Sequence, residues 1–216
     1  MLGRWKFRLQ VMIIKVCGMR DGENIRQTEA LGADLIGLIF YSKSPRCVDY
    51  RPGYLPSRAR RAGVFVNAPA DEICARAAEY ALDYVQLHGS ESPQFCRTLR
   101  LRLPGGCGII KALPVASGCD LAAAEAYQQC ADMLLFDTRC SGFGGSGAKF
   151  DWGLLEAYRG SLPFLLSGGI GTGDAEALRA IRHPRFAGID LNSRFESAPG
   201  VKDTALLREF ICKIRK

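Results

Sequence analysis

The sequence predicts an α/β chain folded as a single (β/α)8 TIM barrel of minimal size, and three observations carry that prediction. Short β-rich runs alternate with helix-period segments along the chain, which is the pattern of a parallel sheet. Eight such units can be counted, the number a closed barrel needs. No G-x-G-x-x-G follows the first run, which disfavours the competing doubly wound open sheet. The 216 residues suffice for one domain with a sizeable core.

The first strand is expected at 13–17. Asp21 reads as the N-cap of a helix to Leu31, with Gly32 as its stop. The second strand is 35–40. Its helix is expected to be shortened, because Pro52, Gly53 and Pro56 leave room for one turn at most. Strands at 61–66, 83–87, 108–113, 133–137, 162–166 and 186–191 follow. Their helices are expected at 69–81, 91–102, 120–130, 151–158, 173–181 and 201–213. Residues 1–11 carry Arg4, Lys6 and Arg8 and no acid. They read as an N-terminal extension outside the fold, their order left open, with 12–216 as the barrel.

The net charge is +7, but the basic residues are scattered rather than forming one face with aromatics, so nucleic acid is not expected as a partner. No run approaches the ~18 apolar residues of a membrane span. The nine cysteines are odd in number, irregularly spaced and free of C-x-x-C. That argues against a zinc site or a disulfide framework and for a reducing cytoplasm.

Chemistry in such a barrel sits where strands meet their following loops. Those positions hold Lys15 and Cys17 after strand 1, Arg46 after strand 2 and His88 after strand 4. They also hold Asp137 after strand 6, Ser167-Gly168-Gly169 after strand 7 and Asp190-Leu191-Asn192-Ser193 after strand 8. Bare glycines after strand 7 allow backbone N–H groups close to a phosphate, although a plain tight turn needs them equally. Cys17 alone reads as a small inert hydrophobe and Asp137 alone as a loop cap. Facing one pocket from different strands, they make an acid/base pair. Lys15 is expected to point to the opposite face of its strand from Cys17. His88 reads as a pocket-wall or loop-anchoring residue, and His183 should lie at the far end of the barrel.

Ile14-Lys15-Val16-Cys17-Gly18-Met19-Arg20 resembles the opening motif of the phosphoribosylanthranilate isomerase family. Further matches follow in order: Phe40-Tyr41 with Ser44-Pro45-Arg46, Gly63-Val64-Phe65-Val66-Asn67, and Val85-Gln86-Leu87-His88-Gly89. The later ones are Asp137-Thr138 with Gly144-Gly145-Ser146-Gly147, Leu166-Ser167-Gly168-Gly169, and 188–193 with Glu196 and 199–203. The resemblance implies an Amadori rearrangement of a phosphoribosylated anthranilate in tryptophan biosynthesis, with no metal and no cofactor. It implies Cys17 as general base and Asp137 as general acid. Arg46 would hold the anthranilate carboxylate, and Gly168, Gly169, Asn192 and Ser193 the phosphate. Asp190 would face the amino nitrogen or serve the structure alone. Arg194 follows Asn192-Ser193 where many relatives have a small residue, and reads as either added charge for phosphate or a solvated side chain.

Two other readings compete. A metal-dependent pentose-phosphate epimerase would want several His and carboxylate ligands, and the chain has only His88 and His183. A non-catalytic barrel binding a phosphorylated metabolite or a partner protein would have no use for the Cys17–Asp137 pair. The expected partner is a phosphorylated small molecule, and the chain is expected as monomer or homodimer.

Overall fold

The computed structural model of the protein describes residues 12–138 and 152–216. Eight parallel strands close into one barrel in chain order. They are β1 (Ile13–Cys17), β2 (Leu35–Ile39), β3 (Arg60–Phe65), β4 (Tyr84–Leu87), β5 (Gly108–Val115), β6 (Met133–Thr138), β7 (Phe164–Leu166) and β8 (Phe186–Leu191). Closure is made by β1 against β8, where Lys15 stands opposite Asp190. Each strand is covered on both faces, which is why it reads as an apolar run rather than a strict alternation. The outward residues, Ile14, Val16 and Phe136 among them, join the helices in one large apolar cluster. The inward residues Leu35, Ala62, Tyr84, Ile110, Met133, Leu135 and Leu165 form a smaller one inside the barrel.

Around the barrel run α1 (Gly22–Ala30), α2 (Ala70–Glu79), α3 (Pro93–Arg100), α4 (Ala175–Ala180) and α5 (Thr204–Arg215). Asp21 caps α1 by accepting from the Asn24 N–H at 2.8 Å. Gly32 ends that helix with φ of +94°, which a side chain would strain. The last predicted helix begins later than expected, because Val201–Lys202 form β10, which pairs antiparallel with β9 (Glu196–Ala198). Asp203 then caps α5 from the N–H groups of Ala205 and Leu206.

The helices expected at 120–130 and 151–158 are instead 3-10 helices, Gly118–Tyr127 and Trp152–Ala157. Spacing explains this. Leu121, Ala124 and Tyr127 recur every third residue on the packed side, as do Trp152, Leu155 and Tyr158. Three residues per turn is the 3-10 period, not the α period.

No helix follows β2. Glu29 of α1 organises the connecting loop instead. Its Oε1 accepts the N–H groups of Ser57, Arg58 and Ala59 at 2.9, 2.7 and 2.8 Å, and its Oε2 accepts the Tyr54 hydroxyl at 2.5 Å. Burial pushes the Glu29 carboxyl up, but these four donors outweigh it and bring its pKa down to about 2.

Candidate active site

Inward-facing positions change character along each strand. On β1 they run Ile13, Lys15, Cys17; on β4, Tyr84, Gln86 and then His88; on β6, Met133, Leu135, Asp137. The amino ends thus fill the barrel with apolar side chains. The carboxyl ends present polar ones to a single pocket.

Cys17, Arg46, Asp137, Gly168, Gly169, Asp190, Asn192 and Ser193 all border that pocket, together with Gln86, His88 and Arg194. Cys17 is buried at the end of β1. Burial pushes its thiol above the ordinary range; Lys15 and Lys202 pull it down, and Asp190 adds to the rise. Asp137 Oδ2 stands 3.3 Å from His88 Nε2, both side chains being 29% exposed. Gln86 Nε2 lies 2.8 Å from His88 Nδ1. His88 is therefore a pocket-wall residue held at both ring nitrogens. His183 sits elsewhere, against Phe164 and the Tyr158 carbonyl ahead of β8.

Lys15 corrects the sequence expectation. Residues two apart on a strand share a face, so Lys15 points inward with Cys17, not away from it. Its Nζ donates to Asp190 Oδ1 at 2.9 Å. Asp190 and Cys17 together keep the ammonium charged against the burial that would discharge it, and its pKa lies above the ordinary value.

Arg46 is not a free guanidinium waiting for a ligand. It makes a two-pronged pair with Glu196, whose carboxyl is held below its ordinary range by Arg46 and Lys202 against the opposing effect of burial. Lys202 in turn donates to Glu196 Oε1 at 2.6 Å and Asn192 Oδ1 at 2.8 Å. Gly18 makes this assembly possible. Its φ is +77°, and a Cβ there would stand 2.7 Å from Arg46 Cδ and 2.9 Å from Asn192 Oδ1.

Gly168 and Gly169 carry φ of +93° and +64°, so both need glycine for the turn itself. Arg194 is exposed at the pocket rim. The glycine-rich 142–147 segment, with Cys140 and Asp151, lies outside the described residues. Among the described residues no cluster of three or more His, Cys, Asp or Glu side chains could hold a metal ion. No helix among them is long and apolar enough to cross a membrane.

Sequence reasoning named Glu196 and Lys202 only as parts of a motif and missed their bond to Arg46. It also missed Gln86 as the support of His88. The signal available for Gln86 was its two-residue spacing from His88.

A barrel with an acid, a thiol and a double-glycine turn gathered at the carboxyl ends of its strands defines an enzyme-type site for a small anionic molecule. The family model for N-(5'-phosphoribosyl)anthranilate (PRA) isomerase matches residues 14–213. A Phocaeicola vulgatus protein named N-(5'-phosphoribosyl)anthranilate isomerase is 49% identical over 205 residues, covering 95% of this chain and 98% of that protein. The crystal structure of phosphoribosyl anthranilate isomerase from Thermotoga maritima is similar at a TM-score of 0.78 and 31% identity, covering 94% of this chain and 98% of that one. A further structure of such an enzyme, in complex with reduced 1-(o-carboxyphenylamino)-1-deoxyribulose 5-phosphate, is similar at a TM-score of 0.75 and 29% identity, with 94% and 98% covered. The chain belongs to the phosphoribosylanthranilate isomerase family.

Proposed function

We propose that the chain catalyses the Amadori rearrangement of N-(5-phospho-β-D-ribosyl)anthranilate to 1-(2-carboxyphenylamino)-1-deoxy-D-ribulose 5-phosphate, a step of tryptophan biosynthesis, by general acid/base catalysis. The observation that carries the assignment of roles is the placement of Cys17 and Asp137 on β1 and β6, bordering one pocket.

Asp137, protonated, gives its proton to the ring oxygen, and the C1′–O bond breaks to leave an iminium. The iminium acidifies the C2′ proton, and the Cys17 thiolate removes it. The resulting enolamine takes the proton back from the Cys17 thiol at C1′ and gives its C2′ hydroxyl proton to the Asp137 carboxylate, which leaves the ketone and restores both groups. No electron leaves or enters, so the isomerisation balances without a co-reactant. His88 holds the Asp137 carboxyl in place, since its Nε2 is within 3.3 Å. Arg46, steadied by Glu196, receives the anthranilate carboxylate. Backbone N–H groups of Gly168, Gly169, Asn192 and Ser193 receive the phosphate. Asp190, bonded to Lys15, faces the amino nitrogen with its other oxygen or serves the structure alone. The ligand is a phosphorylated small molecule, and the compartment is a reducing cytoplasm, in keeping with the seven free thiols among the described cysteines.

The test is loss of the fluorescent anthranilate substrate on adding purified protein. Cys17→Ala keeps the small volume and drops the base, so it should fold and bind but not turn over. An active Cys17→Ala protein would assign the proton to another group. Alkylation should inactivate in step with modification of the Cys17 peptide, and inorganic phosphate should slow both.

A further inference from the structure

Lys15 has no part in the proton transfers just described, yet it is fully buried in the barrel beside Cys17. Removing an ammonium from water costs several kcal/mol unless it is paired. Its partner is Asp190, reached across the seam between β1 and β8. The floor of this arrangement is Gly37 of β2. A Cβ built there would lie 2.7 Å from Cys17 Sγ and 3.1 Å from Lys15 Nζ. Thiol and ammonium therefore meet over a position that has no side chain to part them.

The other charged groups around them are committed or differently placed. Lys202 of β10 and Arg46 of the loop after β2 both bind Glu196. Asp137 of β6 faces His88 from the loop after β4. Among the described residues, the carboxylate that pairs with Lys15 is Asp190, which borders the same pocket as the thiol.

We propose that Lys15 is a positioning residue for the reaction: its ammonium, anchored by Asp190, is the counter-ion of the Cys17 thiolate and favours that working form of the base over the thiol that burial favours. This rests on the reading of Cys17 as the base. The thiolate takes the C2′ proton and becomes a thiol, while Lys15 keeps its own protons throughout. The directions agree with the geometry: Lys15 lowers the Cys17 pKa that burial raises, and Cys17 helps hold Lys15 charged.

The experiment follows thiolate ultraviolet absorbance against pH, with Cys17→Ala subtracted to remove the other cysteines. In Lys15→Met the Cys17 midpoint should rise by about one pH unit or more, which is about tenfold less thiolate at neutral pH. The kcat at neutral pH should fall by about the same factor, KM should hardly move, and the rising limb of the pH–rate profile should shift to higher pH by the same amount as the midpoint. In Lys15→Gln, whose amide can still bond Asp190 but carries no charge, the midpoint should rise likewise. That second variant decides the matter if Lys15→Met does not fold. A midpoint and pH profile equal to the wild type in either folded neutral variant would overturn the proposal. Normal turnover by Cys17→Ala would instead sink the assignment of the base, and the absorbance midpoints would still report on the ammonium.

Discussion

Both carboxylate oxygens of Glu196 are engaged by Arg46. The guanidinium Nε donates to Oε1 at 2.9 Å and to Oε2 at 3.0 Å, and NH2 donates to Oε2 at 2.6 Å. Glu196 starts β9, 150 residues from Arg46. One short hairpin beyond the last barrel strand thus fixes a side chain that the loop after β2 supplies.

Glu196→Ala should therefore act on binding. Without its partner Arg46 becomes free to rotate, and Lys202 keeps its bond to Asn192. KM is expected to rise on the order of tenfold, as misplacing a binding group does, with kcat affected less. A kcat loss at unchanged KM would place Glu196 in the chemistry rather than in positioning.

Asp137→Asn should lose on the order of 10²–10⁴ in kcat with KM nearly constant, the range for a positioned acid or base. The wild-type pH–rate profile should show two limbs, and the variant should lose one. Near-full turnover in Asp137→Asn would make the carboxyl a loop cap.

Gly169→Val should weaken substrate binding by at least about tenfold, since a branched Cβ blocks close backbone approach. The φ of +64° at that position also strains valine, so circular dichroism must first show the variant folded. A folded variant with unchanged affinity removes the turn from the phosphate site.

Glu29 ties stability to acid. Its folded pKa of about 2 lies below the ordinary 4.5, so its contribution is complete above the unfolded value. It is lost as pH falls from about 4.5 toward 2. Urea midpoints of wild type and Glu29→Gln should differ at neutral pH and converge as pH is lowered through that window. A gap that stays constant with pH would show that the carboxylate's charge is not what holds the 57–59 loop.

The sequence made the barrel legible because buried parallel strands announce themselves as apolar runs, and all eight lie within two residues of their expected bounds. Pro52, Gly53 and Pro56 made a curtailed second helix legible, but the one remaining turn they allow is not formed either. The 3-10 helices were not, because Ala-rich 121–126 favours an α-helix by propensity and only packing imposes the three-residue period. At the site, positions at strand ends were legible, and partners were not. Arg46 with Glu196 and Lys15 with Asp190 are pairs made by barrel closure, which local pattern does not encode. Lys15 is different: strand alternation contained its direction, and a count of two rather than one places it beside Cys17.

The bond from Lys15 to Asp190 joins residues 175 positions apart and bridges the strands that close the ring. Contacts this distant in sequence carry the largest loop-closure entropy and tend to form late. During refolding, catalytic competence should consequently lag behind secondary structure. Ellipticity returns as individual units form, whereas turnover waits for the last seam to zip, which makes enzyme activity a clock for ring closure.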